Sequence, residues 1–417
     1  MPTQRIKLSV CIPTYNRSLF IGPLLNCLKE LDTLNILYEL IICDNDSTDD
    51  TEEVIGRWLS EFDNIVYFKQ TKNVGPLNNL ISAYRLAQGE FCVYLADDDR
   101  LDIQVLKLHL GYFEQNRNTV ALYAPCDIWD ELSGKSTKLS YDLDKEYVFD
   151  SKNPLELFNL IIHRNIFPEI FIVRTEIIRK IATTPFESYW PFVFVTNLLS
   201  YGNVVFMPIP YYKYLIENPS GPRLAYGYVE ATKNQNQIRA GLEYMAQKLF
   251  KLSYDDGIPK SQLPLVSEMI NVFVLNRLHN CATLLFNSNN PRGAYEWFVR
   301  SQALGWKDQA AFDELNNVLS IRAAAQHIVE TFDGFTFLNK LAIYNSASPE
   351  LLLDSVRRQG PNIELMIITD SEFDVFTDQS RVLVVAGVES DRVLLQAAGF
   401  SAGLILIETE CLAQFRL

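Results

Sequence analysis

A chain of 417 residues with 48% hydrophobic and 21% charged residues is long enough for two or three domains, each with its own core, and is too apolar to be a disordered polymer. Its formal net charge of −14 argues against a broad electrostatic grip on nucleic acid or anionic lipid. No stretch approaches the roughly 18 continuous apolar residues of a membrane span, and Met1 to Lys7 runs into a strand without a signal-peptide core, so a cytoplasmic protein is expected. Seven widely spaced cysteines form no C-x-x-C pair and several sit in apolar runs, which points to reduced, buried thiols; four scattered histidines form no zinc pattern.

Leu8 to Ile12 reads as a buried strand followed by the polar turn Pro13-Thr14-Tyr15-Asn16-Arg17, and Phe20 to Leu31 has apolar residues at helical spacing. Tyr38 to Cys43 is a second strand, and the Ser and Asp residues after Asp44 are good caps for a helix over Glu52 to Phe62. Ile65 to Lys69 is a third strand, Leu77 to Ala87 a third helix, and Phe91 to Ala96 a fourth strand that ends in Asp97-Asp98-Asp99. Strand alternating with helix predicts a parallel sheet covered on both faces, with ligands bound beyond the carboxyl ends of the strands. Three polar clusters, Thr14–Arg17, Asp44–Asp46 and Asp97–Asp99, all follow strand ends and should converge on one edge. A lone triple Asp reads equally well as a solvated acidic turn. Beside two other clusters it fits a hard divalent ion, Mg²⁺ or Mn²⁺, that shares its shell with a diphosphate.

Further on, Ile103 to Asn116 is helical, Val120 to Pro125 a strand, and Trp129 to Ser151 a polar loop or hairpin. Leu155 to His163 is a helix, Pro168 to Val173 a strand, Arg174 to Ile181 a helix, and Val204 to Met207 a strand followed by Pro208-Ile209-Pro210-Tyr211-Tyr212-Lys213-Tyr214. Asn218-Pro219-Ser220-Gly221-Pro222-Arg223 is turn-rich and marks a boundary or lid, with Arg223 read as a surface arginine ahead of a phosphate contact. From Tyr228 to about Phe332 the spacing predicts four to six packed helices. Leu341 to Tyr344, Ile363 to Ile368, Arg381 to Ala386 and Leu404 to Ile407 are short strands separated by helices near Pro349–Gln359 and Ser390–Ala398. The division expected is therefore 1–227, 228–335 and 336–417.

Four motifs now carry a resemblance: Cys-Ile-Pro-Thr-Tyr-Asn-Arg (11–17), Cys-Asp-Asn-Asp-Ser-Thr-Asp-Asp-Thr (43–51), Asn-Val-Gly-Pro-Leu-Asn-Asn (73–79) and Gly-Glu-Phe through Asp-Asp-Asp (89–99). In order and spacing the chain resembles family 2 glycosyltransferases of the GT-A fold, in their bacterial O-antigen, abequosyltransferase-like branch. The resemblance is specific over 8–102 and weaker to about 215. It implies an α/β GT-A domain that moves a sugar from a nucleotide sugar, a UDP-sugar first among them, to a glycan, lipid-linked sugar or protein, with inversion and with Mn²⁺ or Mg²⁺. Carried over residue by residue, it implies donor binding by Pro13, Thr14, Tyr15, Arg17, Asp44, Asn73, Gly75, Asn79, Asp97 and Asp98, and metal binding by Asp97 and Asp99.

One part of the family pattern is missing. Inverting members take the acceptor proton on an acid pair, and matching Leu198-Leu199-Ser200-Tyr201-Gly202 to the family's helix end puts that pair at Trp190-Pro191. The substitutes are Glu169, preferred because an acid in an apolar strand needs a reason, then Glu187, with His163 third. The missing acid also motivates a reading from another class, a non-catalytic sugar-nucleotide-binding or scaffold module. A nucleotidyltransferase is disfavoured because no Gly-rich basic loop follows the first strand. The last α/β segment resembles Rossmann-like tails, but its first turn, Asn345-Ser346-Ala347-Ser348-Pro349, lacks the glycines that admit a pyrophosphate, and Asp370 follows its second strand. Docking, regulation or assembly, such as a homo-oligomer, is expected of it rather than a bound dinucleotide.

Overall fold

In the computed structural model, residues 5–217, 235–254, 256–305, 309–360 and 362–415 are described. The turn-rich Asn218 to Arg223 lies outside them. Two compact units are present, Met1–Phe273 and Val274–Leu417.

The first unit opens with β1 (Leu8–Thr14), α1 (Ser18–Leu28), β2 (Tyr38–Asp44), α2 (Thr51–Trp58), β3 (Ile65–Lys69), α3 (Pro76–Leu86) and β4 (Phe91–Tyr94). It continues through β5 (Arg100–Leu101), α4 (Ile103–Gln115), β6 (Thr119–Tyr123), β7 (Cys126–Asp130), β8 (Lys135–Leu139) and β9 (Tyr147–Phe149). Then follow α5 (Pro154–His163), β10 (Phe171–Arg174), α6 (Thr175–Ile181), α7 (Trp190–Leu198), β11 (Asn203–Phe206), β12 (Tyr212–Glu217), α8 (Gln235–Ser253) and the start of α9 (Leu263–Asn287). An eight-stranded mixed sheet runs β3-β2-β1-β4-β10-β6-β11-β9, and a second sheet runs β5-β12-β7-β8. The polar stretch after Trp129 is thus a hairpin edge, β7 paired antiparallel with β8.

Period-two alternation sorts the side chains. Leu8, Val10 and Ile12 of β1, Leu40 and Ile42 of β2, and Phe91 and Val93 of β4 share one core with α1 and α4. On the other face lie Ser9, Cys11, Glu39 and Cys92, all buried. Glu39 is a buried acid with its partners built in: it accepts from Ser9 Oγ at 2.5 Å, from the Gln88 N–H at 2.6 Å and from the Gly89 N–H at 3.2 Å. Gly89 can approach this closely only without a side chain, since a Cβ there would lie 2.7 Å from the Ser9 nitrogen and 2.8 Å from the Leu8 carbonyl carbon. Gly89→Ala is therefore expected to cost about 2–3 kcal/mol through overpacking against backbone. Denaturant unfolding measures it, and a loss below about 0.5 kcal/mol would mean the β1–β4 edge yields freely.

The seven cysteines are free thiols, and burial pushes the Cys43 thiol up to about 12. Among the described residues no helix is long and apolar enough to cross a membrane.

The second unit contains the rest of α9, then α10 (Pro291–Ala303), α11 (Gln309–Asp333), β13 (Lys340–Tyr344), α12 (Pro349–Gln359), β14 (Glu364–Ile368), β15 (Val382–Ala386), α13 (Glu389–Ala397), β16 (Ile405–Ile407) and α14 (Glu408–Ala413). Its four strands are all parallel, in the order β14-β13-β15-β16. One face packs on α11, α12 and α14 through Ile328, Val329, Leu352, Val356 and Leu412, and the other carries Leu395 and Phe400. At the β13/β15 switch point the crevice is filled. Asn345 Nδ2 donates to both oxygens of Asp391 at 3.1 and 3.2 Å, and a Cβ on Gly387 would lie 1.9 Å from the Asn345 carbonyl oxygen.

Candidate functional site

In the first unit the strand order reverses between β1 and β4, and it is there, beyond the carboxyl ends, that an open α/β sheet leaves a crevice. Leu8 pairs with Phe91 and Cys11 with Tyr94, so the same offset carried onward sets Asp97 beside Thr14. Thr14, Asp97, Asp98 and Asp99 are all buried. One guanidinium faces the first two acids: Arg17 Nε stands 3.3 Å from Asp97 and Arg17 Nη2 3.6 Å from Asp98. Its carbon also lies 5.3 Å from the Phe20 ring centre. Burial is the largest influence on Asp97, and with Asp98 and Asp99 it outweighs Arg17, pushing the carboxyl up to about 7.

Asp99 is held differently. Tyr212 Oη donates to one of its oxygens at 2.8 Å and the Leu215 N–H to the other at 3.0 Å, while the Tyr212 hydroxyl accepts from the Ala96 N–H at 3.1 Å. β12 thereby clamps the acidic turn. Asp102, which closes the same stretch, caps α4 by accepting from the Val105 N–H at 3.1 Å.

The neighbouring loops are stitched to one another. Asn16 and Asp46 both have positive φ, 53° and 67°, a backbone state that Asn and Asp tolerate. The Asn16 N–H donates to Ser47 Oγ at 2.9 Å, the Thr48 N–H to Asn16 Oδ1 at 2.8 Å, and the Arg17 N–H to Thr51 Oγ1 at 2.8 Å. Asp44, fully buried, accepts from the Ser47 N–H at 2.8 Å and from the Tyr67 hydroxyl at 3.0 Å. Asn45 joins the third motif: its amide donates to Asn73 Oδ1 at 3.0 Å and its oxygen accepts from the Val74 N–H at 2.8 Å. Asn79 donates to the Cys43 carbonyl at 2.6 Å, and Gly75, with φ of 85°, precedes the first turn of α3. Pro13, Thr14, Tyr15, Arg17, Asp44, Asn73, Gly75 and Asn79 therefore belong to one interlocked edge, in which Asp44, Asn73 and Asn79 carry structural hydrogen bonds.

The proton-acceptor candidates separate. The strand expected over 168–173 begins only at Phe171, because Pro168 has no N–H for the ladder; Pro168 and Glu169 form the turn before it. Glu169 accepts a hydrogen bond from the Tyr189 hydroxyl. It also shares a field with the aspartates: the phenol of the half-buried Tyr94 is held well above its usual value by burial first, then by the charges of Asp99, Glu169, Asp97 and Asp98. Glu187 and His163 are exposed. Tyr94, Tyr189 and Tyr212 were not singled out from the sequence, where nothing distinguishes a site tyrosine from a core one.

The donor set fits a hard divalent ion. Asp97 and Asp98 face Arg17, Asp99 accepts from Tyr212 and Leu215, and all three buried carboxylates sit at one strand end; Mg²⁺ or Mn²⁺ needs only one or two carboxylates when phosphate and water complete its shell. Among the described residues no three acidic, histidine or cysteine side chains form a ready-made cage. A groove of about 990 Å³ lies at the opposite, amino-terminal edge, where Lys7 pairs with Glu90 at 3.0 Å and Glu114 at 3.1 Å, and Arg174 with Glu90 at 3.2 Å.

Among curated proteins, the abequosyltransferase RfbV of Salmonella typhimurium is 31% identical over 155 residues, 36% of this chain and 46% of the relative. The GalNAc(5)-diNAcBac-PP-undecaprenol beta-1,3-glucosyltransferase of Campylobacter jejuni is 28% identical over 161 residues, 37% of this chain and 51% of the relative. The chain thus spans about half the length of these relatives. Among solved structures, Staphylococcus aureus TarS 1-349 in complex with UDP-GlcNAc aligns with a TM-score of 0.46 at 18% identity, over 72% of this chain and 88% of that one. Residues 9–172 match the glycosyl transferase family 2 model, and this stretch, which carries the strand-end acids of the β1/β4 crevice, is similar to that family.

Proposed function

We propose that the protein transfers a sugar from a nucleoside-diphosphate sugar, a UDP-sugar first among them, to a hydroxyl of a glycan, lipid-linked sugar or protein, with inversion at the anomeric carbon. The observation that carries this reading is the convergence of Asp97, Asp98 and Asp99 with Arg17 at the crevice between β1 and β4. Thr14 and Tyr15 line the base and ribose side, and the Asp44 loop supports them. A divalent ion bound by Asp97 and Asp99 would neutralise the diphosphate as it leaves. The acceptor oxygen forms its bond to the anomeric carbon while the bond from that carbon to the diphosphate oxygen breaks, and the nucleoside diphosphate keeps the electron pair. The acceptor's proton passes to the Glu169 carboxylate, which lies in the same electrostatic field as the aspartates.

A panel of nucleotide sugars tested for nucleoside-diphosphate release, with Mn²⁺ and with chelator, checks the reading. Slow, metal-dependent release from at least one donor is expected. No release from any donor, together with no thermal shift, would reject it. With an acceptor in hand, Glu169→Gln is expected to lower turnover by about 10²-fold while donor affinity stays unchanged. Near wild-type turnover in that variant would move the proton elsewhere.

A further inference from the structure

The part of the chain beyond the family match contributes to the geometry around Glu169. Tyr189 stands at the start of α7, next to the position where the family's acid pair was expected, and its hydroxyl donates to Glu169. The ring is fixed from several sides. It meets Phe167 edge-on with centroids 6.3 Å apart, and Phe192 at 6.2 Å. Its backbone N–H donates 2.8 Å to the Gln237 carbonyl of α8, and Ser188 Oγ reaches the Ala240 carbonyl at 3.4 Å. At Gly241 of α8 a Cβ would come within 3.1 Å of both the nitrogen and the oxygen of Tyr189, and within 3.0 Å of the Phe192 ring. A side chain at this position would press the Tyr189 backbone back by a few tenths of an ångström or more.

We infer that Tyr189 is a positioning residue that aims and polarises the Glu169 carboxylate, and that α8, through Gln237 and Gly241, is the platform that holds it. This inference rests on the transferase reading for its chemical meaning and on geometry for its existence. A phenol that donates to a carboxylate favours the ionised form, so removing the hydroxyl should make Glu169 harder to ionise. Asp97, Asp98 and Asp99, whose charges act on Tyr94 together with that of Glu169, are unchanged by the substitution and cancel in the comparison.

Two measurements test it on the full chain. The first needs no substrate: Glu169 is titrated by infrared difference spectroscopy against Glu169→Gln. Tyr189→Phe, which keeps the ring and its packing, is expected to raise that pKa by about half a unit or more. The second follows the pH profile of transfer. The acid limb should move up by the same amount, turnover at low pH should fall by about 3-fold or more, and the donor KM should stay put. Gly241→Val, which displaces the Tyr189 backbone, should reproduce the shift. An unmoved Glu169 titration and pH profile in Tyr189→Phe would overturn the inference, even if the variant melts earlier, because a purely structural tyrosine would change stability alone. Should the wild type release no nucleoside diphosphate from any donor, the transferase reading falls, while the infrared titration still decides whether Tyr189 and Glu169 act as a pair.

Discussion

Asp97→Asn is expected to abolish metal-dependent nucleoside-diphosphate release, by about 10³-fold or more, without lowering the melting temperature of the metal-free protein. The loss follows from removing a carboxylate that would hold the divalent ion, whose positive charge would neutralise the leaving diphosphate. The retained stability follows from burial. Asp97 is about 6% exposed and shares one guanidinium with Asp98, and desolvation already drives its carboxyl up to about 7. An amide of the same shape removes a buried charge that the fold tolerates poorly. A substitution in a purely structural acidic turn would show the reverse pattern, with stability lost and release kept. Nucleoside-diphosphate release and thermal unfolding on the same preparation distinguish the two.

Arg17→Met should do the opposite to the fold. It removes a guanidinium paired with Asp97 and Asp98, and a buried ion pair broken on one side typically costs about 3–5 kcal/mol, since the remaining charges stay desolvated. In a unit of this size that lowers the melting temperature by roughly 6–20 °C. The methionine keeps the apolar contact with Phe20 but not the cation over its ring. Mn²⁺ should restore part of the loss, and its stabilising increment should be larger in the variant than in the wild type, because the ion then supplies the missing counter-charge. If Mn²⁺ shifts neither protein, the three aspartates do not form a cation site. Arg17 therefore has two properties at once: it makes the metal-free acidic turn possible, and it faces the carboxylates where a bound ion would be expected.

How much of this was legible in the sequence follows from the range over which each feature is decided. The alternation of strands and helices over the first hundred residues, the acids that end β4, and the small parallel unit built on β13 to β16 can all be read locally. An apolar run of four to seven residues, a cap or a proline is visible in a short window. Glu169 is preferred over Glu187 from the sequence as an acid in an apolar strand, yet it lies in the turn before that strand; only folding exposed Glu187 and set Glu169 in the field of Tyr94 and under the hydroxyl of Tyr189. Tyr212 is separated from Asp99 by 113 residues, and no periodicity announces that β12 will clamp the acidic turn. Asp44 and Asn79, expected as donor-binding residues, also hold loops together through hydrogen bonds that no short window of sequence displays.

By itself, then, the amino-acid sequence of this protein determined which segments become strands, which strand ends carry oxygen donors, and the family pattern over 9–172. The tertiary structure decided which cation faces those donors, which acid lies near them and which aromatic hydroxyls hold them. The physical reason is that backbone periodicity is set by neighbours along the chain, whereas a buried charge takes its partner from whichever strand the sheet order places beside it.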